Sequence, residues 1–286
     1  MYTNSRFLQI RGCTIHYRVM QPPCRPRHRA LLVASPGQST YAWRHIVPEL
    51  LAAGTLCVLC DLPGFGLSEP GDEAPFRQSV RARCLWGLLD LLDEQYGGAL
   101  TTWQLLGHGS ACGTIVEMAL AQPDSVGSLF MLSPMLYSPL NAPMQALLRT
   151  SVGETLASFW YRTHILSRVR FARWANRLYG CRLPARQLAL LRAPMQRLDQ
   201  PAGSLRRLLL EGYEVHTGEA YKLFMPMMIL WGGRDHLLGG SIPSRLRHDF
   251  PEAEYHILSA SGHCAAETNH AAVCDFLRGW IREMWE

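Results

Sequence analysis

Hydrophobic positions fall into two rhythms along this chain. Residues 7–19 alternate apolar and polar on either side of Arg11 and Gly12, which predicts a hairpin turning at the glycine. Unbroken apolar runs follow at residues 30–34, 55–60, 101–106, 126–132 and 226–231, bounded by turn-forming residues. Such runs predict strands buried on both faces. Helical spacing fills the intervals at 43–51 and 77–95 and resumes after residue 110, with Gln122, Pro123 and Asp124 as its stop. From 133 to 224 the alternation ceases, and only helical patterns remain, cut by prolines and glycines. After the strand at 226–231 come a helix-like stretch at 243–249, a short strand at 255–258 and a last helix at 265–285.

Strands alternating with helices predict an α/β fold: a doubly wound, mostly parallel sheet with an inserted helical cap. The core domain is assigned to residues 1–134 and 225–286 and the cap to 135–224, with no internal repeat.

Composition narrows the setting. A chain of 286 residues, 48% hydrophobic, can bury a large core without dividing into independent domains. No run of eighteen apolar residues exists, so no membrane span is expected. The polar residues 1–6 lead straight into a strand pattern, unlike a secretory segment. Nine cysteines are scattered, and the closest pair, Cys57 and Cys60, lies inside an apolar run. They read as core residues in a reducing, cytoplasmic setting.

The net charge is +5, with Lys222 the only lysine. Residues 149–222 hold thirteen Lys/Arg against five Asp/Glu, leaving the remainder slightly acidic. Outside this segment there is no basic stripe interleaved with aromatics, so nucleic acid is not an expected partner. The basic cap reads either as a solvated helix face or as a positive lid that attracts a carboxylate, a phosphate or an acidic acyl carrier protein.

Chemistry concentrates at one corner. The run Leu105-Leu106 breaks into Gly107, His108, Gly109, Ser110, Ala111, Cys112 and Gly113 before the helical pattern resumes. That is the form of a strand–turn–helix corner, which thrusts one side chain out above a sheet. Around it stand Trp43, the stretch from Asp61 to Ser68 with Phe65 and Gly66, the stretch from Trp231 to Asp235, and Ser261-Gly262-His263. In this order and spacing the chain resembles the α/β-hydrolase family from its hairpin to its last helix.

The resemblance implies an acid at Asp235 and a histidine at His263, with the carboxylate fixing one imidazole nitrogen and the other acting as general base. Asp61 is read as a structural turn residue. The family's elbow reads G-x-S-x-G, whereas here Gly109 stands in the nucleophile slot. The interval from Gly107 to Pro123 matches without a gap, so covalent Ser–His catalysis is lost at this position. Two alternatives stay open: Ser110 acting from a shifted corner, and Cys112, which has small flanking residues but should lie one turn into the helix.

A second departure concerns the oxyanion hole. Where the family has His-Gly-x after the third strand, this chain has Ala34, Ser35 and Pro36, and proline has no N–H to donate. The Ser110 N–H remains as a donor. Losing the other costs roughly 3 to 4 kcal/mol of acyl-transfer stabilisation. A one-residue change of register would instead make Gly37 or Ser35 the donor. Ser35, Gln38 and His108 are expected to line the substrate pocket, and neither a cofactor nor a metal is expected.

Three functions follow. The first is an enzyme of the α/β-hydrolase superfamily acting on a small or medium apolar molecule, whether neutral, anionic or carrier-bound. It would use His–Asp general acid–base chemistry without a serine nucleophile, for cyclisation, elimination, isomerisation, C–C cleavage or direct water attack. The second is an ordinary serine ester, lactone or thioester hydrolase using Ser110. The third is a binding or scaffold protein that keeps the fold without turnover.

Overall fold

In the computed structural model the described residues are all but 1–3, 69–75, 97–99, 197–200, 240 and 286; residues 1–3, part of the polar start, thus lie outside them. The hairpin pattern forms β1 (Arg6–Ile10) and β2 (Cys13–Met20). The apolar runs form β3 (His28–Ala34), β4 (Thr55–Asp61), β5 (Trp103–His108), β6 (Val126–Leu132) and β7 (Met227–Gly232), and β8 spans Glu254–Leu258. All eight join one sheet in the order β1-β2-β4-β3-β5-β6-β7-β8. β2 pairs antiparallel with β1 and β4, and every other pairing is parallel.

Alternate residues of these strands feed two separate cores. On β4, Val58 and Cys60 pack with α2 (Gln78–Tyr96) and α3 (Ala111–Ala121), while Cys57 and Leu59 pack with α11 (His270–Met284) on the other face. Helices on both faces explain why the strands carry no polar alternation.

Two helix boundaries differ from the periodic reading. The stretch 43–51 is a 3-10 turn at Thr40–Trp43 followed by the short α1 (Val47–Ala52), because Pro48 can only sit in a helix's first turn. The last helix, which follows α9 (Ile242–Asp249), is broken at Asn269 into α10 (Ala265–Thr268) and α11. Asn269 leaves helical geometry (φ −138°) and donates its amide N–H to the Ser261 hydroxyl at 2.9 Å.

Between β6 and β7 lie α4 (Ala142–Leu148), α5 (Ser151–His164), α6 (Arg168–Tyr179), α7 (Ala185–Gln196) and α8 (Pro201–Glu211). In α6, the Ser167 hydroxyl accepts the Arg170 N–H, and Gly180 ends the helix in the left-handed region (φ 67°). Its buried side chains, Phe171, Ala175 and Tyr179, recur every fourth residue, whereas Arg168, Arg170, Arg173 and Arg177 are exposed.

Parallel strands deliver their C-terminal ends to one edge, the usual location for a site in such sheets. There Asp61, at the end of β4, accepts His16 Nδ1–H at 2.8 Å and the backbone N–H groups of Thr40 and Leu67 at 2.7 and 2.8 Å. Nε2 of His16 meets the Ser5 hydroxyl at 2.9 Å. This buried cluster braces the loop that leaves β3.

Candidate active site

Four loops at the C-terminal edge of the sheet meet at one point and build three elements of a site. The first is the corner after β5. Gly109 takes φ +59°, a region that costs a side-chain-bearing residue energy and a glycine little. Its N–H donates to Leu132 C=O at 2.9 Å, and its C=O accepts Met135 N–H at 3.0 Å and Cys112 N–H at 3.2 Å. The corner is thereby fixed to β6 and the loop after it, and α3 starts two residues later at Ala111.

The second loop leaves β3. Ser35 C=O accepts Gln38 N–H at 2.9 Å, with Pro36 and Gly37 (φ +86°) between them. Proline then left-handed glycine is the sequence requirement of a type II turn. The turn aims Ser35 at the corner: a Cβ built on Gly109 would stand 2.5 Å from Ser35 Oγ and 3.2 Å from His263 Nε2. Ser35 and Gly109 therefore fit each other, and a larger residue at 109 does not fit beside this serine.

The third element is the pair from the loops after β7 and β8. His263 Nδ1 and Asp235 Oδ2 lie 2.8 Å apart, and both side chains are buried. Asp235 Oδ1 accepts the N–H groups of Leu237 and Leu238 at 2.8 and 3.3 Å. Burial works to raise the Asp235 pKa, but the hydrogen bonds from His263 and these two amides outweigh it and hold the carboxyl below its ordinary range. With Nδ1 bound to the carboxylate, Nε2 of His263 is left facing Gly109.

Above this point lies a cavity of about 240 Å³. Ser35, Pro36, Gln38, His108, Ser110 and His263 form its floor, and apolar residues of the cap such as Phe171, Trp174 and Leu208 form its roof. A smaller cavity of about 140 Å³ shares Pro36, Gly37, Trp174 and Leu208 with it and extends to Trp160, Met195 and Leu205. No lysine or arginine lines either one, and the cap arginines on α6 point to solvent. Among the described residues, no cluster of three or more His, Cys, Asp or Glu side chains could hold a metal ion.

The remaining candidates separate clearly. His108 donates Nε2–H to His263 C=O at 2.9 Å, and its buried Nδ1 has no partner. Burial, then the neighbouring His263, pushes its pKa down to about 3, so it is a neutral hydrogen-bond acceptor. Ser110 Oγ is buried and makes no hydrogen bond, to His263 or to any other described group. Ser110 does supply a backbone N–H at the start of α3. Cys112 lies inside α3 with its thiol toward Leu132 C=O, and burial raises its pKa far above a reactive value.

Gln38 donates to Glu267 Oε1 at 3.1 Å, which introduces a residue that periodicity gave no reason to select. Glu267 is buried and also receives Arg44 at 2.6 Å and the Tyr179 hydroxyl at 2.6 Å. It ties the cap, through Tyr179, to the loop after β3. The His263 loop is tied to the cap directly as well: His263 N–H donates to Leu178 C=O at 3.1 Å. A Cβ on Gly262 would come within 2.8 Å of the Gly180 nitrogen.

Comparison with known proteins agrees with this architecture. A profile of the alpha/beta hydrolase fold matches residues 31–270. A 2-hydroxy-6-oxononadienedioate/2-hydroxy-6-oxononatrienedioate hydrolase of Cupriavidus pinatubonensis is 28% identical over 261 residues, covering 85% of this chain and 84% of that protein. A protein of the same name from Paraburkholderia xenovorans is 28% identical over 256 residues, with the same coverage. Among solved structures, a meta-cleavage product hydrolase from Pseudomonas fluorescens superposes with a TM-score of 0.75 at 15% identity, covering 97% of each chain. An enol-lactonase from Burkholderia xenovorans gives 0.73 at 17% identity, covering 97% of this chain and 100% of that one.

Proposed function

The chain belongs to the α/β-hydrolase fold family, and on that premise we propose an enzyme in which the His263–Asp235 pair moves a proton on a small, largely apolar organic molecule and no elbow nucleophile takes part. The observation that carries the reading is the 2.8 Å contact between His263 Nδ1 and Asp235 Oδ2, with Nε2 turned to a cavity floor where Gly109 offers no side chain. Asp235 holds the imidazole in one tautomer and stabilises it once protonated. Nε2 then takes a proton from the substrate or from a water at the floor and returns it to the leaving group. The Ser110 N–H, at the N-terminus of α3, stabilises negative charge that develops on a carbonyl oxygen. Pro36 lines the floor without donating.

The relatives named for oxononadienedioate hydrolysis favour hydrolysis of a small oxo compound. Their substrates are dianions, whereas here the cavity lining offers no lysine or arginine to pair with a carboxylate. A buried carboxylate without a partner is heavily disfavoured. The preferred substrate is therefore a neutral ketone, lactone or ester that fits about 240 Å³. Exposed arginines on the outer cap leave a carrier-bound form of the same substrate open to test.

Turnover of a panel of neutral and dianionic oxo compounds by wild type and His263→Ala tests the proposal. Loss of turnover of neutral members in His263→Ala is the expected result. Unchanged turnover in that variant, or a preference for dianions, overturns it.

A further inference from the structure

The elbow has lost its serine, but a hydroxyl has not left the site. Ser35 Oγ, delivered by the type II turn after β3, stands 2.5 Å from the point where the Cβ of an elbow nucleophile would be, and His263 Nε2 stands 3.2 Å from the same point. Ser35 lines the cavity together with His263. It is separated from Gly109 by 74 positions of sequence yet occupies the volume that Gly109 vacates.

The two positions also compete for one space. At 2.5 Å, a side chain on residue 109 and the Ser35 hydroxyl cannot coexist without movement, and both backbones are fixed. Gly109 is pinned by hydrogen bonds to Leu132 at the end of β6 and to Met135 in the loop after it, and Ser35 is held by its turn and by the Asp61 bond to Thr40 N–H. Glycine at 109 is thus the condition for this serine's placement.

We propose that Ser35 is the covalent nucleophile, moved from the corner after β5 to the turn after β3 while His263, Asp235 and the α3 N-terminus stay in place. This rests on the reading of His263–Asp235 as the proton relay and adds a covalent step to it. Ser35 Oγ attacks the carbonyl carbon of an acyl substrate R–CO–X as His263 Nε2 takes the hydroxyl proton. The Oγ–C bond forms, and the carbonyl π electrons move to the oxygen, which faces the Ser110 N–H. The C–X bond then breaks with its electron pair going to X, which receives the proton from His263. Water, deprotonated by His263, attacks the Ser35 ester and releases R–COOH and the free serine. The lining restricts R to a small apolar group, so short-chain esters, thioesters and enol esters form the substrate class.

Diisopropyl fluorophosphate followed by peptide mass spectrometry, with 4-nitrophenyl butyrate hydrolysis in parallel, tests this on wild type, Ser35→Ala, Ser110→Ala and His263→Ala. The expected result is one adduct on Ser35 that is absent from Ser35→Ala, present in Ser110→Ala and slowed in His263→Ala. Hydrolysis falls about 10³-fold or more in Ser35→Ala. An unchanged thermal midpoint in Ser35→Ala, together with Ser35→Thr retaining part of the activity, separates chemistry from folding. An adduct on Ser110 overturns the proposal. So does the absence of any adduct together with full, His263-dependent turnover in Ser35→Ala, a result that leaves the proton-relay reading standing. Turnover independent of His263 overturns that reading instead.

Discussion

Two histidine–aspartate pairs in this molecule have the same contact geometry and opposite surroundings. In each, Nδ1 and Oδ2 are 2.8 Å apart and both side chains are buried. His16 even has a serine on its other nitrogen, Ser5 Oγ at 2.9 Å, so Ser5, His16 and Asp61 reproduce the hydrogen-bond chain of a catalytic triad. Neither of the two cavities described above is lined by this cluster, and the Asp61 carboxylate also holds two backbone N–H groups that lock the loops beside it. His263 turns its free nitrogen to a cavity floor at the start of a helix. A histidine–aspartate bond sets a tautomer, and what lies beyond the second nitrogen decides whether that tautomer does chemistry.

The largest test exchanges the two histidines' losses. His263→Ala is expected to cut turnover by about 10³-fold or more, with some loss of stability as well, because the buried Asp235 loses its imidazole partner. His16→Ala leaves the buried Asp61 without its imidazole partner and should lower unfolding free energy by about 2–4 kcal/mol while the remaining folded protein keeps its kcat. Denaturant melts and steady-state rates on both variants check this; a His16→Ala enzyme that is stable but inactive would break the contrast.

Next in size is a change at the slot itself. Gly109→Ser alone introduces a side chain against Ser35 and His263 and is expected to lose about 1–3 kcal/mol of stability and most activity. Adding Ser35→Gly removes the clash and should recover both, with fluorophosphonate now reacting at position 109.

Acid stability gives a third, smaller effect. His108 has an ordinary pKa of 6.5 and is lowered to about 3 in the folded protein. Between those values the unfolded chain binds a proton that the folded chain refuses, so stability is complete above pH 6.5 and falls as pH drops. The loss across the window is on the order of 5 kcal/mol at most. His108→Gln should flatten the dependence in melts at pH 7.5, 5.5 and 4.5. Asp235 acts at lower pH, because its depressed pKa yields stability only above the ordinary carboxyl range, lost as pH falls through its folded value.

The smallest effect is expected from Arg170→Glu combined with Arg173→Glu on the exposed side of α6. Turnover of a free small substrate should stay within about twofold, as these side chains touch solvent. A loss confined to carrier-bound substrate would assign that surface to an acidic carrier.

Most of the architecture was legible because buried parallel strands need unbroken apolar runs, and 126–132 matched β6 to the residue. Asp235 and His263 were legible through their flanking turns. The pairing of Ser35 with Gly109 was not, since the two lie on different loops and only sheet order brings β3 beside β5. Glu267 was hidden for a related reason: a lone acidic residue four positions after His263 reads as solvent-facing until Arg44 and Tyr179 are folded against it. The false triad at His16 was equally invisible, as Ser5 and Asp61 belong to opposite ends of the hairpin's neighbourhood.

The backbone contact between Gly262 and Gly180 has a consequence for traffic through the enzyme. A lid that swung away on α6 would carry Leu178 C=O off the His263 N–H and pull the histidine from its aspartate. A cap movement confined to the other part of the roof, where Met195 and Leu205 of α7 and α8 line the smaller cavity, would leave the relay assembled.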